Sequence, residues 1–141
     1  MVELHTTFGN IVAGVVAEVT DNKSLPKDER KRLQVANASK KTKRAKLVKL
    51  ADKLDNCRSL VELPPPNWSK ERIQGYFVWT KAVLLGLRGT NVYLEQTLDK
   101  LLETETFPVP GTPDRCPCMP HADEEANALA AYYNNMSQAT H

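Results

Sequence analysis

The sequence predicts an all-α domain followed by an irregular tail. Between residues 8 and 103, apolar residues recur in several segments at intervals of three and four, the spacing of one helix face. No segment shows the period-two alternation of a half-buried strand. Five prolines between residues 107 and 120 then break any regular pattern. We therefore expect a helical domain over 1–103 and a proline-rich, disordered tail over 104–141.

The apolar spacing indicates five helices, over residues 8–19, 26–38, 43–60, 70–87 and 91–103. Thr42 and Ser69 can cap two of them, because their hydroxyl oxygens can accept hydrogen bonds from the first helical N–H groups. Three prolines at 64–66 separate the third helix from the fourth. The residues predicted to face the core are Leu47, Leu50, Ala51 and Leu54 in the third helix, Ile73, Tyr76, Phe77, Thr80, Val83, Leu84 and Leu87 in the fourth, and Leu94, Leu98, Leu101 and Leu102 in the fifth.

The composition favours a soluble cytoplasmic protein with no membrane partner. The longest apolar run, Ile11 to Ala17, is far shorter than the ~20 residues that cross a bilayer. The chain starts with an acidic stretch, whereas a secretory leader starts with positive charge. Its three cysteines form no even disulfide framework, which is typical of a reducing compartment.

Charge is distributed unevenly along the chain. Lys23 to Lys53 holds twelve Lys and Arg against three acidic residues, whereas Glu95 to Glu125 holds eight acidic residues against two basic ones. A basic half indicates a polyanionic partner, although a solvated helix face explains the charge equally well. Nucleic acid is a poor candidate, because the basic stretch from 40 to 46 lacks the aromatic residues that stack on bases.

A carboxylate and an amide four residues apart, Asp52 and Asn56, lie on one face of the third predicted helix. Such a pair can bind a metal ion and orient a bound water or phosphate. Most pairs of this kind are simply solvated, so the spacing alone leaves both interpretations open.

Three segments resemble the RelA/SpoT-type family of HD-domain nucleotide pyrophosphohydrolases, in its animal branch. The segments are EVTDNKSLPKDERKRLQ (residues 18–34), AKLVKLADKLDNCR (45–58) and WSKERIQGYFVWTKAVLLGLRGTNVYLEQTLDKL (68–101). They occur in the family's order, and the resemblance covers roughly residues 2–103. It implies an all-α HD domain, of which this chain would be the C-terminal portion.

The resemblance also implies an activity, a cofactor and a set of site residues. Members of the family hydrolyse the 3′-pyrophosphate of guanosine tetraphosphate, giving GDP and pyrophosphate, with Mn²⁺ as cofactor. Asp52 matches one of the family's four metal ligands. Asn56 matches a catalytic asparagine near the metal, and Arg72 and Tyr76 match positions that line the nucleotide pocket. The expected partner is therefore a guanine nucleotide alarmone or a related nucleotide.

The sequence departs from the family at the other three metal ligands, a first histidine and the His-Asp pair. No His-Asp dipeptide occurs, and the histidines are His5, His121 and His141. The resemblance thus predicts weak Mn²⁺ binding and impaired hydrolysis. The chain is interpreted as an isoform, an incomplete gene product or a pseudo-enzyme without the N-terminal helices. The alternative is a non-catalytic fragment that binds a nucleotide or a protein partner.

The tail carries a second candidate metal motif, Cys116-Pro-Cys118-Met-Pro-His121. It places two thiols and an imidazole within six residues, whereas a structural zinc site needs four ligands. No second pair follows at a suitable spacing, so we do not expect a zinc site here.

Overall fold

The computed structural model describes residues 25–138, which form a helical domain. Its helices are α1 (Lys27–Asn37), α2 (Lys43–Glu62), α3 (Lys70–Leu87), α4 (Val92–Thr104) and α5 (Glu125–Gln138). Two short antiparallel strands, β1 (Thr106–Pro108) and β2 (Arg115–Pro117), lie between α4 and α5. One-turn 3₁₀ helices cover Ala38–Lys40 and Ala122–Glu124. The all-α class is confirmed, and the predicted helix over 8–19 lies outside the described residues.

Side-chain caps fix where three of the helices begin, and two of these caps, Thr42 and Ser69, are the predicted ones. The Ala45 N–H donates to the Thr42 hydroxyl at 3.3 Å, and the Arg72 N–H donates to the Ser69 hydroxyl at 3.1 Å. At the start of α4 the side chain of Asn91 accepts from the N–H of the third helical residue. Each cap satisfies an N–H group that has no partner within its helix.

A buried carboxylate fixes the turn between α3 and α4. Glu95 is 7% exposed and accepts hydrogen bonds from the backbone N–H groups of Gly89, Thr90 and Asn91 at 2.9–3.1 Å. Gly89 has a φ of +82°, which a residue without a side chain adopts at little cost. The Arg88 guanidinium lies 3.9 Å from the same carboxylate. Charge and hydrogen bonds therefore hold α4 folded back against α2 and α3.

Helix α3 is the centre of the domain. It packs against α1, α2, α4, α5 and the first 3₁₀ helix. Every residue from Gly75 to Thr80 is buried, so burial extends around the whole circumference of the helix. The seven core positions predicted for this helix are all confirmed. The Trp79 indole N–H donates to the Lys31 carbonyl at 2.9 Å, which ties α3 to α1.

The predicted core stripe of α2 is wrong in part. Leu50 and Leu54 are buried, but Leu47 is 41% exposed and Ala51 is also exposed. The buried face continues instead to Cys57 and beyond. Apolar spacing shows that a helix has an apolar face, but not which part of that face a neighbouring helix covers. Helix α2 packs on α3 and α4 from one side, so part of its apolar face stays exposed.

The prediction of a disordered tail without strands is also wrong over residues 106–138. The strands pair with Phe107 opposite Cys116, and Phe107 is fully buried, 5.8 Å from the Phe77 ring. Pro108 and Pro117 fit this pairing because each strand of a two-stranded sheet has an edge that requires no N–H donor. The Gln74 amide donates to the Pro117 carbonyl at 3.0 Å, which joins the hairpin to α3.

Helix α5 packs on α1 and α3 through a short apolar face of Tyr132, Tyr133 and Met136. These three residues are 2%, 6% and 4% exposed. In the sequence, residues 122–136 show only a weak apolar stripe of Ala130, Tyr132 and Tyr133. Two tyrosines suffice because a buried aromatic side chain removes about 150–250 Å² from water.

Gly75 of α3 lies where α5 approaches most closely, against Tyr132. A Cβ atom at this position would lie 2.8 Å from the Tyr132 Cβ and 3.0 Å from its ring. The nearer atom is fixed to the backbone of α5, so it cannot move aside as the end of a flexible side chain can. The two helices therefore approach this closely only with glycine at position 75.

We predict that Gly75→Ala destabilises the domain. Alanine stabilises a helix by about 1 kcal/mol relative to glycine, whereas forcing α5 outward typically costs about 1–3 kcal/mol. The steric cost is the larger effect, so the net change is a loss of stability. Urea unfolding should show a lower midpoint, and Gln96→Ala, at an exposed position of α4, should change it little. An increased midpoint for Gly75→Ala would show that α5 does not dock here.

Candidate functional site

The predicted metal-binding and catalytic residues lie on adjacent turns of α2. Asn56 donates from its side-chain amide to Asp52 Oδ2 over a long 3.4 Å. The Asp52 side chain is 51% exposed, and the Lys53 ammonium lies 3.7 Å from the same oxygen. The pair thus exists as predicted, as a half-solvated carboxylate that already faces a cation.

Asn56 connects this pair to the predicted nucleotide-binding residue Tyr76. Burial raises the pKa of the Tyr76 phenol well above its usual range, and a hydrogen bond from the Asn56 amide opposes that shift. Tyr76 therefore stays protonated at neutral pH and can donate a hydrogen bond. Asp52, Asn56 and Tyr76 form one polar connection from the surface of α2 to the core at α3.

Lys53 is a buried cation beside this connection. It is 4% exposed, and its ammonium lies 4.3 Å from the centre of the Trp79 ring. The Lys31 ammonium lies 4.1 Å from the same ring centre. Burial, followed by the charges of Lys31 and Lys49, lowers the pKa of Lys53 to about 8. The aromatic ring favours the cations, but desolvation and their mutual repulsion outweigh it for Lys53.

An open cleft of about 280 Å³ lies between α1, α3 and α5. Its volume is close to the lower end of the roughly 300–1,000 Å³ of typical ligand pockets. The cleft combines basic side chains with aromatic and other apolar ones. Its lining residues are Lys27, Arg30, Lys31, Trp68, Arg72, Tyr76, Tyr132 and Met136. The structure therefore brings Arg72 and Tyr76 together here, while Asp52 and Asn56 are not among the lining residues.

Two arginines of the cleft have unsatisfied donors. The Nε atoms of Arg30 and Arg72 are buried and have no hydrogen-bond partner among the described residues. The Arg72 guanidinium also lies 4.2 Å from the centre of the Trp68 ring, which holds it flat. Guanidinium groups form charge-assisted hydrogen bonds with phosphate and carboxylate oxygens. The cleft is thus suited to a ligand that carries phosphate or carboxylate groups.

The described residues do not complete a Mn²⁺ site. Between residues 25 and 138, no group of three or more His, Cys, Asp or Glu side chains could hold a metal ion. Asp52 supplies one carboxylate, and the Lys53 ammonium stands beside it. A dication that needs several hard donors therefore lacks most of its ligands within this part of the chain.

The cysteine motif of the tail forms no metal site either. Cys118 is fully buried, and burial raises the pKa of its thiol to about 12. Burial also raises the pKa of the Cys116 thiol, which accepts a hydrogen bond from the Gln74 amide at 3.6 Å. Zinc needs four ligands, and Cys116, Cys118 and His121 form no group of three that could hold a metal ion.

Sequence reasoning identified two of the eight lining residues, Arg72 and Tyr76, and missed the other six. The cations of α1 were counted only as part of a basic half of the chain, and Trp68 was not singled out. The signal was present for the cations, since three of them lie at positions 27, 30 and 31 on one helical face. Tyr132 and Met136 had no such signal, because only the fold brings α5 to α3.

In the described residues no helix has the length and apolarity to cross a membrane.

Lys53→Met should flatten the dependence of stability on pH. The folded state binds the Lys53 proton with a pKa of about 8, below the 10.5 usual for lysine. Burial of the charged Lys53 therefore destabilises the fold below pH 8, and this effect is relieved as the pH rises above 8. The free energy of unfolding should increase over that range. Above about pH 9, unfolded cysteine and tyrosine begin to lose protons that folded Cys57 and Tyr76 keep, which acts in the opposite direction.

Both opposing groups are present in the wild type and the variant, so the difference between the two proteins isolates Lys53. The variant should be more stable at pH 7, and this advantage should shrink towards pH 9, as measured by urea unfolding. Lys43→Met, at an exposed position of α2, controls for the loss of one charge. A difference that stays constant with pH would contradict the burial of a charged Lys53.

Known proteins resemble this chain over about 100 residues. Guanosine-3′,5′-bis(diphosphate) 3′-pyrophosphohydrolase MESH1 of Drosophila melanogaster is 56% identical over 99 residues, covering 70% of this chain and 55% of the relative. The protein of the same name from Homo sapiens is 54% identical over 102 residues, covering 72% and 56%. The chain thus spans about half the length of the curated relatives it matches. No family model matches the chain.

A solved structure shares the fold. It is described as a metazoan ortholog of SpoT that hydrolyses ppGpp and plays a role in starvation responses. The identity is 55% and the TM-score 0.66, covering 71% of this chain and 56% of the other. Sequence and fold agree with the motifs quoted above. Over the matched residues the chain is therefore a relative of the SpoT-related animal guanosine-3′,5′-bis(diphosphate) 3′-pyrophosphohydrolases.

Proposed function

We propose that the chain binds guanosine-3′,5′-bis(diphosphate), ppGpp, in the cleft between α1, α3 and α5, as part of a 3′-pyrophosphohydrolase. The observation that carries the proposal is the composition of the cleft, in which four cations surround aromatic side chains. The names of the relatives support the identity of the nucleotide. A nucleotide complements both parts of the cleft. Its phosphates form a polyanion that suits the cations, and its base is a flat ring that suits the aromatic side chains.

The cations would neutralise the phosphates, each in its own way. Lys27 and Lys31 provide ammonium groups with rotatable donors. Arg30 and Arg72 provide planar guanidinium groups whose buried Nε atoms make no hydrogen bond among the residues described. A guanidinium group of this kind would form charge-assisted hydrogen bonds with phosphate oxygens, often two in parallel.

Hydrolysis would add a water oxygen to the inner phosphorus of the 3′-diphosphate and break the bond between that phosphorus and the 3′ oxygen. The 3′ oxygen would take a proton, so that pyrophosphate leaves and GDP remains. Mn²⁺, when bound, would polarise the phosphoryl oxygens and acidify the attacking water. Asp52 is the described residue proposed to bind it, with Asn56 one turn away. One carboxylate is a poor site, so we propose binding with impaired turnover for this chain. Nucleotide binding without catalysis is thus the second candidate function, and the missing donors favour it.

Arg72→Ala should weaken ppGpp binding about tenfold or more, because a charge-assisted hydrogen bond contributes about 1.5–3 kcal/mol. Isothermal titration calorimetry measures this on the full chain. The matched control is Arg44→Ala, which removes an exposed cation of α2 outside the cleft. Equal losses in the two variants would show that ppGpp responds to the overall charge and not to this cleft.

Release of pyrophosphate from ppGpp should be slow for this chain in the presence of Mn²⁺, and Asp52→Ala should abolish what remains. The reason is that Asp52 is the one proposed metal ligand within the described residues. Chromatographic separation of ppGpp and GDP measures the turnover. Activity that persists in Asp52→Ala would exclude this residue as a ligand. Efficient turnover by the wild type would show that the metal site is complete.

A further inference from the structure

We infer that helix α5 forms the wall of the cleft against which the nucleobase binds, with Met136 and Tyr132 as its contact residues. The inference rests on the proposed nucleotide binding and adds the orientation of the nucleotide in the cleft. The three quoted family motifs end at residue 101, so α5 lies beyond them. This wall is accordingly a property of this chain's own C-terminal segment.

The two sides of the cleft differ in chemistry. Helix α1 contributes the cations Lys27, Arg30 and Lys31, whereas α5 contributes only Tyr132 and Met136. Charged phosphates would not be stable against an apolar wall, because they would lose hydration without gaining a partner. The phosphates therefore belong on the α1 side, and the base, with its flat apolar faces, belongs on the α5 side.

The wall is fixed in place before any ligand binds. Tyr132 sits against Gly75, and its ring centre lies 6.5 Å from that of Tyr76 and 6.1 Å from that of Trp79. At the start of α5, the Lys81 ammonium donates to the Glu125 carboxylate at 2.7 Å. A wall held at both points loses little freedom on binding, so its contacts contribute more fully to affinity.

Met136 is the better residue to alter. Tyr132 and Met136 are both buried, at 2% and 4% exposed, and both belong to the core cluster. Tyr132 also makes ring contacts with Tyr76 and Trp79, so its removal would disturb the core more. Met136 lines the same cleft four residues later, where a side chain follows Tyr132 along one helix face. Its thioether is polarisable and makes favourable contacts with aromatic rings.

The test compares GDP, which has a base, with inorganic pyrophosphate, which has none. Calorimetric titrations use the full chain as wild type, Met136→Ala and the control Asn135→Ala, an exposed neighbour on α5. Met136→Ala should weaken GDP binding about tenfold, the scale of a lost apolar contact in a pocket. Pyrophosphate binding should change less than about twofold, and Asn135→Ala should affect neither ligand.

Four results would overturn the inference. Unchanged GDP affinity in Met136→Ala would show that the base does not touch α5. Equal weakening of GDP and pyrophosphate would show that Met136 only maintains the shape of the cleft. If the wild-type protein bound pyrophosphate as tightly as GDP, the base would contribute nothing to affinity. The cationic site would then stand, but the base would have no contact with α5. Binding of neither ligand would remove the proposed function together with this inference.

Hydrogen exchange of the wild type keeps the inference testable if Met136→Ala does not fold. GDP should slow amide exchange in α1, α3 and α5, whereas pyrophosphate should slow it in α1 and α3 only. Protection by GDP that is confined to α1 and α3 would contradict an α5 wall without contradicting nucleotide binding.

Discussion

The burial of α3 on all sides is the constraint on which the rest of the structure depends. Its aromatic residues Tyr76, Phe77 and Trp79 are at most 7% exposed, and each meets a different neighbour. Trp79 meets α1, Phe77 meets the hairpin, and Tyr76 meets Tyr132 of α5. Because a buried aromatic ring removes so much surface from water, these contacts dominate the packing and determine where the other elements lie.

The same aromatic cluster positions the charges of the candidate site. Lys31 and Lys53 both lie beside the Trp79 ring, and Arg72 lies flat on Trp68. Holding several cations near one another in a partly desolvated place costs free energy, as the lowered pKa of Lys53 shows. A polyanionic ligand would offset that cost, which connects the packing of the core to the proposed binding of a nucleotide.

The sequence was sufficient for features that depend on local physics. Periodicity and caps predicted the starts of α2, α3 and α4 to within one residue, and all seven positions predicted for the buried face of α3 are buried. Motif resemblance found Arg72 and Tyr76, which the structure places in one cleft. The pairing of Asp52 with Asn56 also follows from their spacing on a helix, whereas their metal binding stays a prediction.

The remainder depended on contacts between distant segments. Nothing near Gly75 in the sequence indicates that Tyr132 lies against it, because the two residues meet only after the chain has folded. Leu47 and Ala51 fit the apolar spacing but face away from α3, since spacing does not reveal which neighbour covers a stripe. The tail was misjudged because five prolines exclude regular helices but not a short hairpin anchored by Phe107.

The central claim, that the cleft on α3 is a nucleotide site, is tested most directly by an NMR titration of the full chain with ppGpp. The account predicts that the indole N–H signal of Trp68 and the amide signals of α1 around Arg30 and of α3 around Arg72 shift together, with a single affinity. Shifts confined to the basic stretch at 40–46, with Trp68 unchanged, would show nonspecific attraction to charge and would contradict the claim.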